Sequence, residues 1–362
     1  MKAVHLQGRA LASGLGPDLA AALAALRRGG VAPGRLALGG GHDCLYHALD
    51  DDLASPWAER ARRWVQAVAA ASGALDGPRT GALVLASSSM DIGRRERDGD
   101  FSGRFDDFAA EVAHWLGWRG TVHGVSNACT SGLNALLAAR SLLESGEADE
   151  ALVLGIELRS RVTPAGFLGM QLLSPGGARP LAAGRDGMVL GEAVAALRLA
   201  PAPARWRLAG GANRVDGRDS AGAAGEAIVA TCRAALADAG VAPGAIGLVK
   251  LQAAGSPAND EAEARALQQL FGAAGLPPLV TLKAALGHTL GAAGVAELAL
   301  LTACLDEAAA PAAWPGVPAP ADPALGLALA PACPPAAARH VLANIFGFGG
   351  GHAAVVLEDL QA

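Results

Sequence analysis

A cysteine and a histidine, distant in the chain, each sit in a setting where a side chain could react. Cys129 lies in a segment that runs from Thr121 to Glu157. It reads as a strand (Val122 to Ser126), a tight turn, a helix (Gly132 to Leu143) and a fully apolar strand (Ala151 to Ile156), with the thiol at the turn. A thiol at a helix N-terminus meets the positive end of the helix dipole, which predicts a pKa lowered from about 8.5 toward neutrality. Small residues crowd this turn (Ser126, Ala128, Thr130, Ser131, Gly132), which suits close approach of a substrate. A second segment, Lys283 to Glu297, sets His288 between glycines just before a helix. A third, Ala343 to His352, is a glycine-rich loop around Phe348 that leads into a last strand, Ala353 to Leu357. Read singly, a buried cysteine is commonly inert packing, a histidine a hydrogen-bonded residue, and a glycine run a turn. In this order the three are specific together.

They resemble the β-ketoacyl-acyl carrier protein synthases, the condensing enzymes of fatty acid and polyketide synthesis, over most of the chain from Ser87 to Leu357. Asn127-Ala128-Cys129 matches the family's nucleophile motif. Arg179-Pro180, Arg185-Asp186-Gly187 and Gly191-Glu192 match the stretch that follows it. Lys283, Gly287-His288 and Gly291-Ala292-Ala293-Gly294 through Glu297 match the second-histidine motif, and Asn344 with Gly347-Phe348-Gly349-Gly350 matches the C-terminal gating loop. The resemblance implies an α/β, thiolase-like fold, with two duplicated α/β halves in a layered helix–sheet sandwich. Residues 1–200 would carry Cys129, and residues 201–362 would carry Gln252, His288 and the Gly-Phe-Gly-Gly loop. It implies three steps: acyl transfer from a carrier thioester to Cys129, decarboxylation of malonyl carrier to an enolate, and attack of that enolate on the acyl-enzyme. The oxyanion hole would be the backbone N–H groups of Cys129 and Phe348, with Lys283 among the site residues. The implied partners are an acyl carrier protein with its acyl and malonyl thioesters, and a ketosynthase or a second copy completing a dimer. No cofactor and no metal is expected.

One departure bears on the chemistry. The family's first histidine stands in a His-Gly-Thr-x-Thr-Pro motif after a strand. Aligned on Ser256-Pro257, Asp260 and Glu263, this chain has Gln252 at the histidine and Ala254 at the following threonine. An amide can donate a hydrogen bond but cannot exchange a proton at neutral pH. Loss of a hydrogen bond alone would cost little; loss of proton transfer would cost about 10²–10⁴ in rate. In related condensing enzymes with a Cys-His-Asn set, an amide serves at the second histidine's position rather than the first. Three readings follow: a partner subunit resembling the chain-length factors of type II polyketide systems, a self-sufficient synthase using Cys129, Gln252 and His288, and a thiolase-fold acyltransferase that does not decarboxylate.

The elements that must position these residues are legible from punctuation. A strand from Ala3 to Leu6 and a helix from Leu19 to Arg28 open the chain. A strand spans Ala82 to Ala86, a charged surface loop Arg94 to Asp107, and a helix Asp107 to Leu116. Pro201-Ala202-Pro203 marks the boundary between halves. Beyond it come a strand from Arg207, a helix from Ala221 to Gly240, a strand from Ile246 delivering Gln252, and a Pro/Ala-dense run, Ala308 to Ala338, of loops and short strands. Phe167, Met170 and Phe348 could border an acyl tunnel.

Composition narrows the class. With 362 residues, 52% of them hydrophobic, the chain can bury a large core, yet aromatics make up only 4%, so small residues must do the packing. A net charge of −5 carries no basic footprint for nucleic acid. Arg94, Arg95, Arg97 and Arg104 are the candidate patch for an acidic carrier. The five cysteines (Cys44, Cys129, Cys232, Cys304, Cys333) are widely spaced with no C-x-x-C, which predicts reduced thiols in the cytoplasm. His42, Asp43 and His47 read as a loop and helix start rather than metal ligands. No targeting segment and no apolar run long enough to span a membrane is expected.

Overall fold

The computed structural model describes residues 2–49, 52, 55–104, 106–217, 224–272, 275–307, 321–327 and 338–362. In the first half β1 (His5–Ser13) leads through α1 (Leu19–Arg27) to a hairpin, β2 (Gly34–Gly39) and β3 (His42–His47), then α2 (Trp57–Ala71). There follow β4 (Ala82–Ala86), α3 (Ile92–Asp98), α4 (Asp107–Leu116), β5 (Val122–Val125), α5 (Ser131–Ser145), β6 (Ala151–Glu157), α6 (Val162–Gly169), β7 (Leu190–Gly191) and β8 (Ala193–Ala200). The second half runs β9 (Trp206–Val215), α7 (Gly225–Ala239), β10 (Leu248–Lys250), α8 (Pro257–Phe271), β11 (Leu279–Val280), α9 (Lys283–Leu286), α10 (Ala293–Asp306), β12 (His340–Gly347) and β13 (Gly351–Asp359).

The strand order exposes a duplication that residue identities hide. Ten strands are hydrogen-bonded in the order β11-β10-β12-β13-β9-β1-β8-β6-β4-β5, joined at the middle where His5 pairs with Arg207. Within each set of five the order is first, last, fourth, second, third in chain sequence. The pairings also agree: in both halves first with last and last with fourth are antiparallel, and fourth with second and second with third are parallel.

Alternation along the strands sorts side chains into layers, because successive residues face opposite sides of a sheet. Ala82, Val84 and Ala86 of β4 join a central core with α5 and α10, which also takes Val341, Ala343 and Ile345 of β12. Leu83 and Leu85 face the other way, onto α2 and α4. Leu342, with Val356 of β13, faces outward onto α7 and α8. The layers are thus helices, sheet, central helices, sheet, helices. Helix α10 is apolar apart from Glu297, Thr302 and Asp306, and buried throughout but for Asp306, as a helix sandwiched in the core must be.

At the centre of the molecule the two inner helices touch backbone to backbone. A Cβ built on Gly132 would lie 2.8 Å from the nitrogen of Gly294, and one built on Gly294 would lie 2.5 Å from the nitrogen of Leu133. Only glycine at both positions permits this approach.

Several sequence expectations are corrected. Residues 42–47 form β3 rather than a loop and helix start, since Leu36 and Cys44 pair across a hairpin. The charged run contains a helix, α3, closed by Gly99 in the left-handed conformation. The first strand is longer than Ala3 to Leu6, and β10 stops two residues short of Gln252. Residues 221–223, 308–320 and 328–337, with Cys333, lie outside the described residues; the remaining four cysteines are buried. Among the described residues no His/Cys/Asp/Glu cluster is placed to hold a metal, and no helix is long and apolar enough to cross a membrane.

Gly294→Ala is expected to destabilise the protein by about 1–3 kcal/mol in urea denaturation through overpacking. Gly99→Ala is the control, because it strains only the left-handed turn that closes α3. Both variants should lose stability, and only Gly294→Ala should also slow alkylation of Cys129.

Candidate active site

The turn that presents Cys129 is built from local hydrogen bonds. Ala128 sits at φ 50°, a left-handed conformation that is strained for a residue with a Cβ. Ser131 Oγ accepts from the Asn127 N–H at 2.8 Å and donates to the Ala128 carbonyl at 2.6 Å, while Thr130 Oγ1 donates to the Asn127 carbonyl at 2.7 Å. These bonds hold the β5–α5 junction in the shape that sets Cys129 at the mouth of α5.

His288 arrives from the other half. Gly287, at φ 72°, turns the chain against β7, where a Cβ would lie 2.8 Å from the Leu190 carbonyl oxygen. The His288 N–H donates to the Val189 carbonyl at 2.7 Å, and the Gly191 N–H donates to the His288 carbonyl at 3.1 Å. Beyond it, the Gly291 N–H donates to Glu157 at 2.9 Å. Glu157 also accepts from the backbone N–H and hydroxyl of Ser88 and from the hydroxyl of Ser89, so one buried carboxylate ties the histidine turn to the ends of β4 and β6. The outcome is direct contact: Nε2 of His288 lies 3.0 Å from Sγ of Cys129.

Gln252 joins them. It lines one cleft with Cys129, Phe167, Met188, His288 and Phe348. Its loop is held by two acids of α8: Glu263 accepts from the N–H groups of Gln252 (2.8 Å) and Ala253 (2.7 Å), and Asp260 from those of Ala254 and Gly255. Asp260 also accepts from the Leu181 N–H at 2.8 Å, which brings the stretch after Arg179-Pro180 onto this loop. The Gln252 Oε1 is buried with no hydrogen-bond partner.

Phe348 borders the cleft, its ring 5.3 Å from that of Phe167. Its backbone N–H, and that of Cys129 itself, favour the ionised form of the sulfur. Met170 is corrected: it is half exposed and away from the cleft, where Met188 stands instead. Lys283 is fully buried behind the pair and bonds Glu297.

The expected lowering of the thiol pKa is overturned. Burial pushes Cys129 up to about 12, against the opposing pull of the Lys283 charge and the two N–H bonds. Loss of hydration outweighs the partial charge of a helix end. Burial, with Lys283, pulls His288 down to about 3, so the resting pair is a neutral thiol beside a neutral imidazole. The arginines of the basic run have partners within the chain, with Arg97 donating to the Ser55 carbonyl at 3.1 Å. Arg94 is held by Asp91 and Glu111, Arg95 by Asp91, and Arg104 by Asp106.

Sequence reading used Asp260, Glu263 and Glu297 only as motif markers and gave no role to Lys250, which pairs with Glu297 from the end of β10. The signal for Lys250 was the scarcity of lysine, which occurs only at positions 2, 250 and 283.

Gly347 passes so close to the nucleophile that a Cβ there would meet the Cys129 sulfur at 3.0 Å. Gly347→Ala is therefore expected to leave the far-UV circular dichroism unchanged and to slow reaction at Cys129 by about 10²-fold, since displacing a reacting atom by an ångström costs that much.

Comparison with known proteins agrees with this geometry. Residues 42–204 match the β-ketoacyl synthase N-terminal domain, and residues 207–315 match the β-ketoacyl synthase C-terminal domain. The chain is 35% identical over 252 residues to 3-oxoacyl-[acyl-carrier-protein] synthase 2 of Mycobacterium tuberculosis, covering 63% of this chain and 59% of that protein's length. It is 32% identical over 287 residues to polyketide synthase ThaG of Burkholderia thailandensis, covering 69% of this chain and 5% of that one. Among solved structures, a ketosynthase in complex with its chain length factor from Xenorhabdus doucetiae matches with a TM-score of 0.83 at 24% identity, covering 99% of this chain and 98% of that one. A β-ketoacyl synthase from Burkholderia phymatum matches with a TM-score of 0.80 at 23% identity, covering 99% and 100%. With a sulfur and an imidazole in contact between two topologically identical halves, and both domain models matched in order, the chain belongs to the β-ketoacyl synthase family and has the thiolase-like fold.

Proposed function

We propose that this chain is a synthase subunit that carries an acyl group on Cys129 during carbon-chain elongation in fatty acid or polyketide synthesis. The 3.0 Å contact between Cys129 and His288 is the observation that carries this reading. As the sulfur attacks a carrier thioester, its proton passes to Nε2, and the imidazole returns it to the departing carrier thiol. The N–H groups of Cys129 and Phe348 receive the oxyanion, a donor pair of which each member is worth about 10²–10³ in rate. The acyl chain lies along Phe167, Met188 and Phe348.

Condensation asks more of Gln252. In malonyl decarboxylation, negative charge develops on the thioester oxygen, and an amide N–H at position 252 stabilises it without exchanging a proton. This replacement supports a second reading, in which the subunit resembles a chain-length factor and depends on an active ketosynthase for extension. The outer side of β5 also fits a paired subunit. Among the described residues it ends the sheet, and Val122 to Gly124 are exposed, leaving an edge that another strand can extend.

Acyl carrier and malonyl carrier, supplied to the pure protein, separate the readings by intact mass and product analysis. Acylation lost in Cys129→Ala, followed by extension, is the expected result. Acylation without extension identifies a non-decarboxylating acyltransferase. Extension only with an added ketosynthase, unaffected by Cys129→Ala, favours the chain-length-factor reading and contradicts use of Cys129. Gln252→His is expected to raise malonyl decarboxylation by about 10-fold or more, read as released carbon dioxide, if proton transfer is what the amide lacks.

A further inference from the structure

Two of the chain's three lysines are buried on one carboxylate behind the reactive pair. Lys250, the last residue of β10, and Lys283, the first of α9, both bond Glu297 of α10, one to each oxygen, and all three side chains are 1% exposed. The third, Lys2, is at the surface. One lysine would suffice to neutralise Glu297; the second leaves a positive charge in surplus. A surplus charge away from water is costly unless an anion answers it. The nearby acids are committed to other donors: Glu263 and Asp260 accept from backbone N–H groups of the Gln252 loop, and Glu157 accepts from Ser88, Ser89 and Gly291. The Cys129 sulfur can also become an anion there, and the Lys283 charge favours its ionised form.

We propose that Lys250 is a positioning residue for the chemistry at Cys129: by bonding the second oxygen of Glu297, it leaves the charge of Lys283 free to stabilise an anionic sulfur. This rests on the reading of Cys129 as the nucleophile. Burial, together with the Lys283 charge, keeps the His288 imidazole neutral, ready to accept the thiol proton.

The arrangement has a pH signature. Burial pulls Lys250 down to about 8, against the attraction of Glu297. The surplus charge is therefore present below that pH and lost above it, when Glu297 answers Lys283 alone. The charged groups facing Lys250 are Glu297 from α10, Lys283 from α9 and Glu263 from α8. An ordinary thiol reacts about tenfold faster per pH unit until its own pKa. Cys129 is expected to gain less than this above about pH 8.

Iodoacetamide alkylation of Cys129 in the full chain, followed by peptide mass spectrometry across about pH 6 to 10, tests the proposal. Lys250→Met is expected to slow alkylation about tenfold near pH 7.5, equivalent to one unit of thiol pKa, and to remove the damping above pH 8. Lys250→Arg, whose guanidinium keeps its proton, is expected to hold the wild-type rate at pH 7.5 and also lose the damping. The double variant Lys250→Met/Glu297→Gln removes one charge of each sign and is expected to recover most of the rate. A merely structural role predicts the double variant slower than the single, and that outcome overturns the proposal. Equal rates for Lys250→Met and wild type, or damping that persists in Lys250→Arg, also overturn it. Where Lys250→Met fails to fold by near-UV circular dichroism, the arginine and double variants decide. Alkylation needs no carrier protein, so its outcome is independent of whether Cys129 accepts an acyl group.

Discussion

The site depends on one contact, the meeting of α5 and α10 at Gly132 and Gly294. Cys129 stands three residues before the first glycine and His288 six before the second, so the approach of these backbones fixes the separation of sulfur and imidazole. A Cβ on Gly132 would lie 2.9 Å from both the Gly294 Cα and the Val295 nitrogen, too close for any side chain. The two five-stranded halves of the sheet, of the same topology, press the helices together from either side, and alanine-rich faces let them come close. The scarcity of aromatics, 4% of the chain, follows from the same demand.

Burial at this centre sets the electrostatics. It removes water from the thiol and the imidazole, which keeps both neutral at rest and makes each nearby charge and N–H dipole count for more. The site answers with fixed donors and cations: two backbone N–H groups toward the sulfur, and Lys283 with Lys250 on Glu297. The acids at its edge serve the backbone. Glu157 and Glu263 commit their oxygens to N–H groups of the histidine turn and the Gln252 loop, which holds both loops rigid around the cleft.

Much of this was legible in the sequence, for identifiable reasons. The strand–turn–helix around Cys129 showed through apolar periodicity, and the glycines flanking His288 marked a turn whose conformation the structure bears out. The family resemblance brought Cys129, Gln252, His288 and Phe348 to one cleft, which local pattern could not do, since the two halves meet only through long-range packing. The duplication was illegible from residue identities because it resides in strand order. The thiol pKa was misjudged because a helix end is visible in sequence whereas burial is not. The exchange of Met170 for Met188 has the same origin: exposure is decided by what packs on top of a residue, and α6 leaves Met170 outside. The partner of Arg94 was equally hidden, because Glu111 lies seventeen residues beyond it.

Treatment of the native protein with a short bifunctional alkylating agent, followed by peptide mapping, asks most directly whether sulfur and imidazole share one site. A single crosslinked pair is predicted, joining the peptides that hold Cys129 and His288 and lost when either residue is replaced. Capture of Cys129 by itself, or bridged to a different histidine, would contradict the shared site.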